Sequence, residues 1–199
     1  MRKPYLIRTP DFNLVSGGIR VMYGLYGWLL TKGEEAHLNV RTNDPAIGIY
    51  PEIYHGNDMN ASTVVRYILQ TVGVMGTSTQ DQTFRKGPTE FDKKDKIYVF
   101  SKIYDTFGVD EDHVLFLPII NIKAFFDQGK KRTGTCYLVG KGQNQHKHPK
   151  EHSFEITREF AQDQQALADM FNRCHTCYCY DRLSAIMDIA RLCGCRVQY

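Results

Sequence analysis

Residues 153–199 read SFEITREFAQDQQALADMFNRCHTCYCYDRLSAIMDIARLCGCRVQY, and this stretch decides the fold. Its apolar pattern predicts a strand, a helix, a strand, a helix and a last strand in succession. Tyr180-Asp181 forms a corner after the middle strand, and Ser184-Ala185 opens the last helix. In a parallel α/β sheet such a corner lies at the carboxyl edge, where N–H groups and a helix start can bind phosphate. The stretch therefore predicts an α/β fold with a site suited to a nucleotide.

The rest of the chain carries the same alternation of strands and helices. Residues 19–30 predict a helix with one apolar face, which Gly33 ends. Residues 61–72 predict a second helix, capped by Asn57 or Asn60. The apolar stripe of that helix is Val64, Val65, Ile68 and Leu69, and the predicted strands are residues 5–8, 37–41, 45–52, 97–100, 114–117 and 135–139.

The length of 199 residues suffices for two compact domains. Residues 77–96 are polar and predict an exposed excursion. The chain turns basic at residues 130–132, just before a new strand begins. We place the boundary near residue 120, which gives domains of residues 1–120 and 121–199, each with a parallel sheet.

The amino-acid composition restricts which partners the protein can have. The net charge is +3 and charged residues make up 24% of the chain, so there is no case for nucleic acid binding, which usually requires a concentrated basic face. No run of 18 apolar residues and no charged-then-apolar leader is present. We therefore expect no transmembrane segment and a cytoplasmic protein, peripheral to a membrane at most.

The six cysteines lack the even spacing of a secreted disulfide framework, since five of them lie in the final 26 residues. Buried reduced thiols are the favoured interpretation. A zinc site remains an alternative, because Cys174 and Cys177 have C-x-x-C spacing and Cys193 and Cys195 could complete the ligand set. A second metal alternative, set against a hydrated loop, is the cluster of His146, His148 and His152.

Several motifs taken together resemble the nucleotide-sugar-dependent glycosyltransferases of the GT-B fold. Their order and spacing along most of the chain carry the resemblance. The motifs are residues 13–20 (NLVSGGIR), 50–52 (YPE) with 56–57 (GN), 64–69 (VVRYIL) ahead of Gly73, 117–118 (LP), 137–142 (YLVGKG), 156–159 (ITRE), 180–181 (YD) followed by 184–185 (SA), and 192–195 (LCGC).

This resemblance implies two Rossmann-like parallel-sheet domains facing a cleft. Residues 1–120 would be the acceptor side, and residues 121–199 would bind the donor nucleotide sugar. The implied reaction moves a sugar from a nucleotide-diphosphate donor to a glycan or other acceptor, with no cofactor and no metal required. The second domain has only about 80 residues, short of a typical domain, so we expect it to be incomplete. The chain could be a fragment, a truncated product, or a reduced relative whose missing layer comes from a partner chain.

The resemblance implies a set of donor-binding residues. They are Gly17, Gly18, Lys141, Arg158, Tyr180, Asp181, Ser184 and Ala185. Glycines before a helix let the backbone approach an anion, and lysine and arginine can neutralise a diphosphate. Each also has an ordinary alternative. The glycines could form a tight turn, Lys141 could be solvated, Arg158 could pair with Glu155 or Glu159, and Asp181 or Ser184 could simply cap the last helix.

An inverting transferase also needs a general base near the acceptor hydroxyl. Glu52, at a strand end, and His55 nearby are the candidates, although Glu52 could equally anchor a loop and a lone histidine is often structural. Two positions depart from the family pattern. Ile189 stands where the family has a ribose-binding glutamate, with Asp188 beside it, and Arg196 replaces a usual proline.

Two other functions remain open. A catalytically inactive glycosyltransferase-like module that binds a nucleotide or glycan fits Ile189 and the short second half. A Rossmann-type oxidoreductase is disfavoured, because no G-x-G-x-x-G loop with a following acidic residue is present.

Overall fold

The computed structural model describes residues 2–76, 86–140, 148–149, 153–181 and 184–199. The chain divides into two compact units, Met1–Ile119 and Ile120–Tyr199, which we call the first and second units. The boundary expected near residue 120 falls at this division. In the part of the chain that the structure describes, no helix is both long enough and apolar enough to cross a bilayer.

The first unit is a five-stranded parallel sheet. Its elements are β1 (Tyr5–Ile7), α1 (Gly17–Thr31), β2 (Ala36–Leu38), β3 (Ile47–Pro51), β4 (Thr63–Ile68) and β5 (Lys96–Val99). The strand order is β2-β1-β3-β4-β5, and every pairing is parallel. Short 3-10 turns follow at Lys102–Tyr104 and Glu111–His113.

Both faces of this sheet are covered. The apolar face of α1 packs on one of them, where Met22 and Leu25 join Ile7 and Tyr67 in a buried cluster. The other face is covered by a smaller cluster that includes Tyr50. Parallel strands buried on both faces read as nearly continuous apolar runs, which is the pattern seen here.

The predicted helix over residues 61–72 is wrong, because residues 63–68 form β4, an interior strand of the sheet between β3 and β5. Val65 and Tyr67 lie against the α1 cluster, and Val64 lies against the opposite cluster. A short apolar run buried on both sides has no period that separates a strand from a helix, and the β-branched pair Val64-Val65 favours the strand. The predicted strand at residues 114–117 is reduced to one bridge, between Val99 and Val114.

The second unit is a four-stranded parallel sheet with two helices. Its elements are β6 (Gly134–Leu138), β7 (Ser153–Glu155), a 3-10 turn (Phe160–Gln162), α2 (Gln164–Arg173), β8 (Cys174–Cys179), α3 (Ile186–Leu192) and β9 (Arg196–Gln198). The strand order is β7-β6-β8-β9. The predicted strand and helix succession and the α/β class with parallel sheets are confirmed.

The two helices pack on the same face of this sheet. Phe171 of α2 and Ile189 of α3 share a buried cluster with Cys136 and Cys177, which point from β6 and β8 to that side. Because strand residues alternate between faces, Tyr137 and its β8 partner Tyr178 lie on the opposite face. That second face therefore carries the hydroxyl groups of tyrosine side chains, whereas the face covered by the helices is apolar.

Candidate functional site

The carboxyl ends of parallel strands share one edge of a sheet, and this edge is where α/β proteins bind ligands. We call residues 8–18, 52–57 and 69–70 the first edge, since they follow strands of the first unit. We call residues 139–140, 156–158, 180–181 and 184–186 the second edge, since they follow strands of the second unit. Of the candidate residues, Gly17, Gly18, Glu52 and His55 lie at the first edge, and Arg158, Tyr180, Asp181, Ser184 and Ala185 lie at the second.

At the first edge, the start of α1 is open. Ser16 precedes it without a side-chain cap, and the first turn carries no acidic residue. Among the described residues, no atom outside the adjoining backbone lies within 4 Å of where a side chain on Gly17 would begin. The same point on Gly18 is 3.6 Å from Leu69 Cδ1, so the helix start lies beside the end of β4. The uncapped N–H groups and the space around Gly17 suit an anionic or hydroxyl-bearing ligand.

Glu52 is buried, and its Oε2 accepts a hydrogen bond from the Leu69 N–H at 2.9 Å. The carboxylate thereby joins the ends of β3 and β4. Of the two roles expected for Glu52, the geometry favours the loop anchor. A carboxylate held in this way positions the first edge.

His55 is exposed, and its backbone is held on both sides. The Arg66 guanidinium donates to the carbonyls of Tyr54, at 3.2 Å, and Gly56, at 2.6 Å. Arg66 itself is buried and forms an ion pair with Asp95, with 2.6 Å between Nε and Oδ2. The imidazole therefore stands in solvent on a loop whose backbone is fixed.

Sequence reasoning missed Arg66 as an organising residue because it assigned residues 61–72 to a helix. The sequence did contain one indication of this role, since Arg66 is the single charged residue within the apolar run VVRYIL. A charge at the centre of such a run is rarely buried without a partner.

At the second edge, Gly140 and Asp181 come together. Gly140 has φ +54°, and a side chain there would begin 2.8 Å from Asp181 Cβ. Asp181 is brought to this point by Tyr180, whose N–H donates to the Leu138 carbonyl at 2.9 Å and so extends the pairing of β6 and β8. The loops after β6 and β8, which carry all the predicted donor-binding residues of this unit except Arg158, therefore meet.

Ser184 and Ala185 continue this corner into α3. The Ser184 N–H donates to the Asp181 carbonyl at 3.1 Å, and the Ser184 hydroxyl accepts from the Ile186 N–H at 3.3 Å. Ala185 precedes the first helical residue. These bonds form a local turn before α3, and the residue at the capping position is Ala185, so neither Ser184 nor Asp181 caps the helix with its side chain.

Two cations were predicted for the second edge. Lys141 lies outside the described residues, but its neighbour Gly140 is at this edge. Arg158 is exposed three residues after β7. Within the described ranges Arg158 has no ion-pair partner, so the expected alternative of a salt bridge to Glu155 or Glu159 is not formed.

Comparison of the chain with protein-family models, with curated proteins and with solved structures finds no match.

His148 and three tyrosines gather beside the second edge, and the tyrosines are Tyr137, Tyr178 and Tyr180. The His148 ring stacks on Tyr137, with 3.9 Å between centroids, and its Nδ1 lies 2.7 Å from the Tyr180 hydroxyl. The Tyr137 hydroxyl donates to Glu155 Oε2 at 3.0 Å, and this bond raises the pKa of Tyr137. The sequence suggested only a metal-binding or a loop role for His148. Its contact with Tyr180 joins residues 32 positions apart, which leaves no local pattern in the sequence.

Ile189 is buried among the apolar residues of the second unit, so this position presents no group to a ligand. Asp188 is exposed and pairs with Arg191, with 3.0 Å between Oδ1 and Nη1. Asp188 is therefore engaged on the surface of α3. The family's ribose-binding carboxylate has no equivalent at residue 189.

All six cysteines are buried and have free thiols, which confirms the expectation of buried reduced thiols. The described residues contain no group of three or more His, Cys, Asp or Glu side chains placed to hold a metal ion. His146 and His152, two members of the predicted histidine cluster, lie outside the described residues.

Proposed function

We propose that this protein is a glycosyltransferase of the GT-B type, which transfers a sugar from a nucleotide-diphosphate donor to a glycan or other acceptor. The observation that carries the proposal is the meeting of Gly140 and Asp181 at the second edge, each in a motif of the family resemblance. The second unit would bind the donor and the first unit the acceptor. The arrangement of two domains across a cleft is taken over from the family.

The donor diphosphate would bind at the second edge. The missing side chain of Gly140 leaves room for Asp181, so the ends of β6 and β8 lie close together at this edge. Arg158 and Lys141 would supply positive charge, and a guanidinium can bind two phosphate oxygens at once. These cations would stabilise the negative charge that builds up on the diphosphate as the bond to the sugar breaks.

The acceptor would bind at the first edge, where His55 would act as general base. In an inverting transfer, the imidazole takes the proton of the acceptor hydroxyl. The oxygen of that hydroxyl forms the new bond to the sugar's anomeric carbon at the same time. The bond from that carbon to the diphosphate breaks, and its electron pair leaves with the diphosphate. Glu52 would act as a positioning residue, because its carboxylate is bound to the Leu69 N–H.

A second candidate function is a catalytically inactive module that binds the nucleotide without transferring the sugar. The burial of Ile189 supports this alternative, because the family's ribose-binding carboxylate is missing from that position. Both candidates require that the protein bind nucleoside diphosphates, and only the first requires turnover.

The test is calorimetric titration with UDP, GDP and ADP, followed by measurement of diphosphate release from the matching nucleotide sugars. For a transferase, His55→Ala lowers turnover by about 100-fold or more, the usual effect of losing a general base. His37→Ala, which alters an exposed histidine on β2, leaves turnover unchanged. Binding without turnover would establish the inactive module, and absence of binding by any nucleotide would reject both functions.

A further inference from the structure

A groove of about 310 Å³ opens at the amino-terminal end of the second sheet. Phe154, Phe160 and Met170 supply apolar walls, and Arg173, Thr135 and Cys174 also line it. This volume is at the small end of ligand-binding pockets and equals roughly ten water molecules. The groove therefore has the size for a small organic molecule with an apolar body.

The cation at this groove is open to a ligand. Arg173 is the last residue of α2, and its Nε donates to the Asp169 carbonyl at 3.3 Å. Among the described residues, no carboxylate lies within salt-bridge distance of Arg173. A guanidinium beside apolar walls is complementary to a carboxylate on an apolar body.

Two irregular features coincide at the same place. The pairing of β6 with β8 shifts between Gly134 and Thr135, which leaves His175 opposite no residue of β6. Thr135 is 8% exposed, and its buried hydroxyl has no hydrogen-bond partner in the described part of the chain. Bulges and unsatisfied buried polar groups are concentrated near functional sites and call for an explanation.

We propose that this groove binds a small free carboxylic acid, with its apolar body against Phe154, Phe160 and Met170 and its carboxylate at Arg173. The site is separate from the second edge. The two lie at opposite ends of β6, which spans four residue steps, or about 13 Å. The acid would thus occupy the second unit at the same time as a nucleotide, and the proposal stands whether or not the protein transfers sugars.

The test uses octanoate as the probe, with octan-1-ol and octylamine as neutral and cationic matches. Calorimetry should give saturable binding of octanoate with a Kd of about 0.1–1 mM, as ligand efficiency suggests for about ten heavy atoms. Octan-1-ol should bind at least about fivefold more weakly, and octylamine more weakly still, because neither can form a charge-assisted hydrogen bond with Arg173.

Two variants separate the charge from the apolar walls. Arg173→Gln should weaken octanoate binding about five- to tenfold and leave octan-1-ol binding unchanged. Lys131→Gln removes a nearby exposed charge that does not line the groove, and should have no effect. Phe154→Ala should weaken both probes, and its fold is expected to survive because Phe154 is 45% exposed.

Several results would overturn the proposal. They are the absence of saturable octanoate binding, equal affinity for the three probes, and unchanged octanoate affinity in Arg173→Gln. Self-association of the protein that Phe154→Ala abolishes would also overturn it, since the groove would then receive a second copy of the chain. Far-ultraviolet circular dichroism of each variant checks that the fold is intact.

Discussion

Asp181 lies directly against the α-carbon of Gly140, and a side chain at Gly140 would begin 2.8 Å from Asp181 Cβ and 2.9 Å from its Oδ2. Gly140 also has φ +54°, which strains any other residue. The contact fixes where the two loops of the second edge meet. Its disruption should therefore affect both stability and the proposed nucleotide binding.

We expect Gly140→Ala to lower the free energy of unfolding by about 1–3 kcal/mol, from backbone strain and the clash with Asp181. Affinity for nucleoside diphosphates should fall at the same time. The matched control is Gly27→Ala within α1, where no atom of the described residues beyond the adjoining helix backbone lies within 4 Å of the new carbon. That change should stabilise the protein by up to about 1 kcal/mol. Urea unfolding measures both, and equal effects of the two substitutions would contradict this account of Gly140.

Arg66→Met tests the buried ion pair that fixes the His55 loop. Removal of the guanidinium leaves Asp95 buried without its cation, which should cost about 3–5 kcal/mol. Arg2→Met breaks an ion pair with Glu34 in which the arginine side chain is 83% exposed, and it should cost at most about 1 kcal/mol. Urea unfolding compares them. A loss of less than about 1 kcal/mol for Arg66→Met would mean that the loop is held by other contacts.

The loop after β5 should be sensitive to acid. The Asp105 carboxylate accepts hydrogen bonds from the N–H groups of Phe107, Gly108 and Val109 and lies 3.3 Å from Lys102 Nζ. Burial raises the pKa of Asp105, but the bonds from Phe107, Lys102 and Gly108 outweigh burial and the pKa is lowered. A lowered folded-state pKa means that the carboxylate stabilises the fold above the unfolded pKa of about 3.9, and that this contribution is lost as pH falls through the folded-state pKa.

Asp105→Asn should therefore destabilise the protein by about 1 kcal/mol at pH 7, and the difference from the unsubstituted protein should shrink as pH falls through the lowered folded-state pKa of Asp105. Urea unfolding at a series of pH values measures that difference. A difference that stays constant with pH would show that the charge of Asp105 contributes nothing.

The buried thiols should react in a definite order. Burial raises the pKa of Cys179 to about 12 and that of Cys193 to about 11, so both are neutral near pH 8. Hydrogen bonding with the Cys136 thiol lowers the pKa of Cys174, and the positive charges of Arg173 and Arg132 add to this against the effect of burial. Since the thiolate is the reactive form, and since Cys174 lines the groove of the second unit, Cys174 should react first.

Iodoacetamide at pH 8 followed by peptide mass spectrometry measures this order. We expect Cys174 to be alkylated in the native protein, and Cys179 and Cys193 only after unfolding. Octanoate should slow the alkylation of Cys174. Modification of Cys179 before Cys174 would contradict the predicted order.

The second unit was predictable because its local signals agree. The amphipathic α2 starts at Asp163, whose carboxylate accepts from the Ala166 N–H at 2.9 Å, and apolar strands stand on either side of it. The last helix ends at the Gly194 turn, where the glycine has φ +75°. Where capping residues, turn residues and periodicity coincide, the sequence suffices for the assignment.

Two parts of the structure depend on long-range contacts and could not be read from the sequence. β4 was mistaken for a helix because burial on both faces removes the alternation that identifies a strand. The contacts of Arg66 with Asp95 and of His148 with Tyr180 join residues that are 29 and 32 positions apart. The sequence could assign the candidate residues to an edge of a sheet, but it could not identify the residues that they contact.

Calorimetric titration with nucleoside diphosphates tests whether the second edge binds the diphosphate of a nucleotide. We expect saturable binding that Lys141→Ala weakens by about 1–3 kcal/mol, as for a lost charged hydrogen bond. Arg158→Gln should weaken binding in the same direction, and Lys131→Gln, away from this edge, should leave it unchanged. Absence of binding, or an affinity that neither Lys141→Ala nor Arg158→Gln alters, would contradict the proposed diphosphate site.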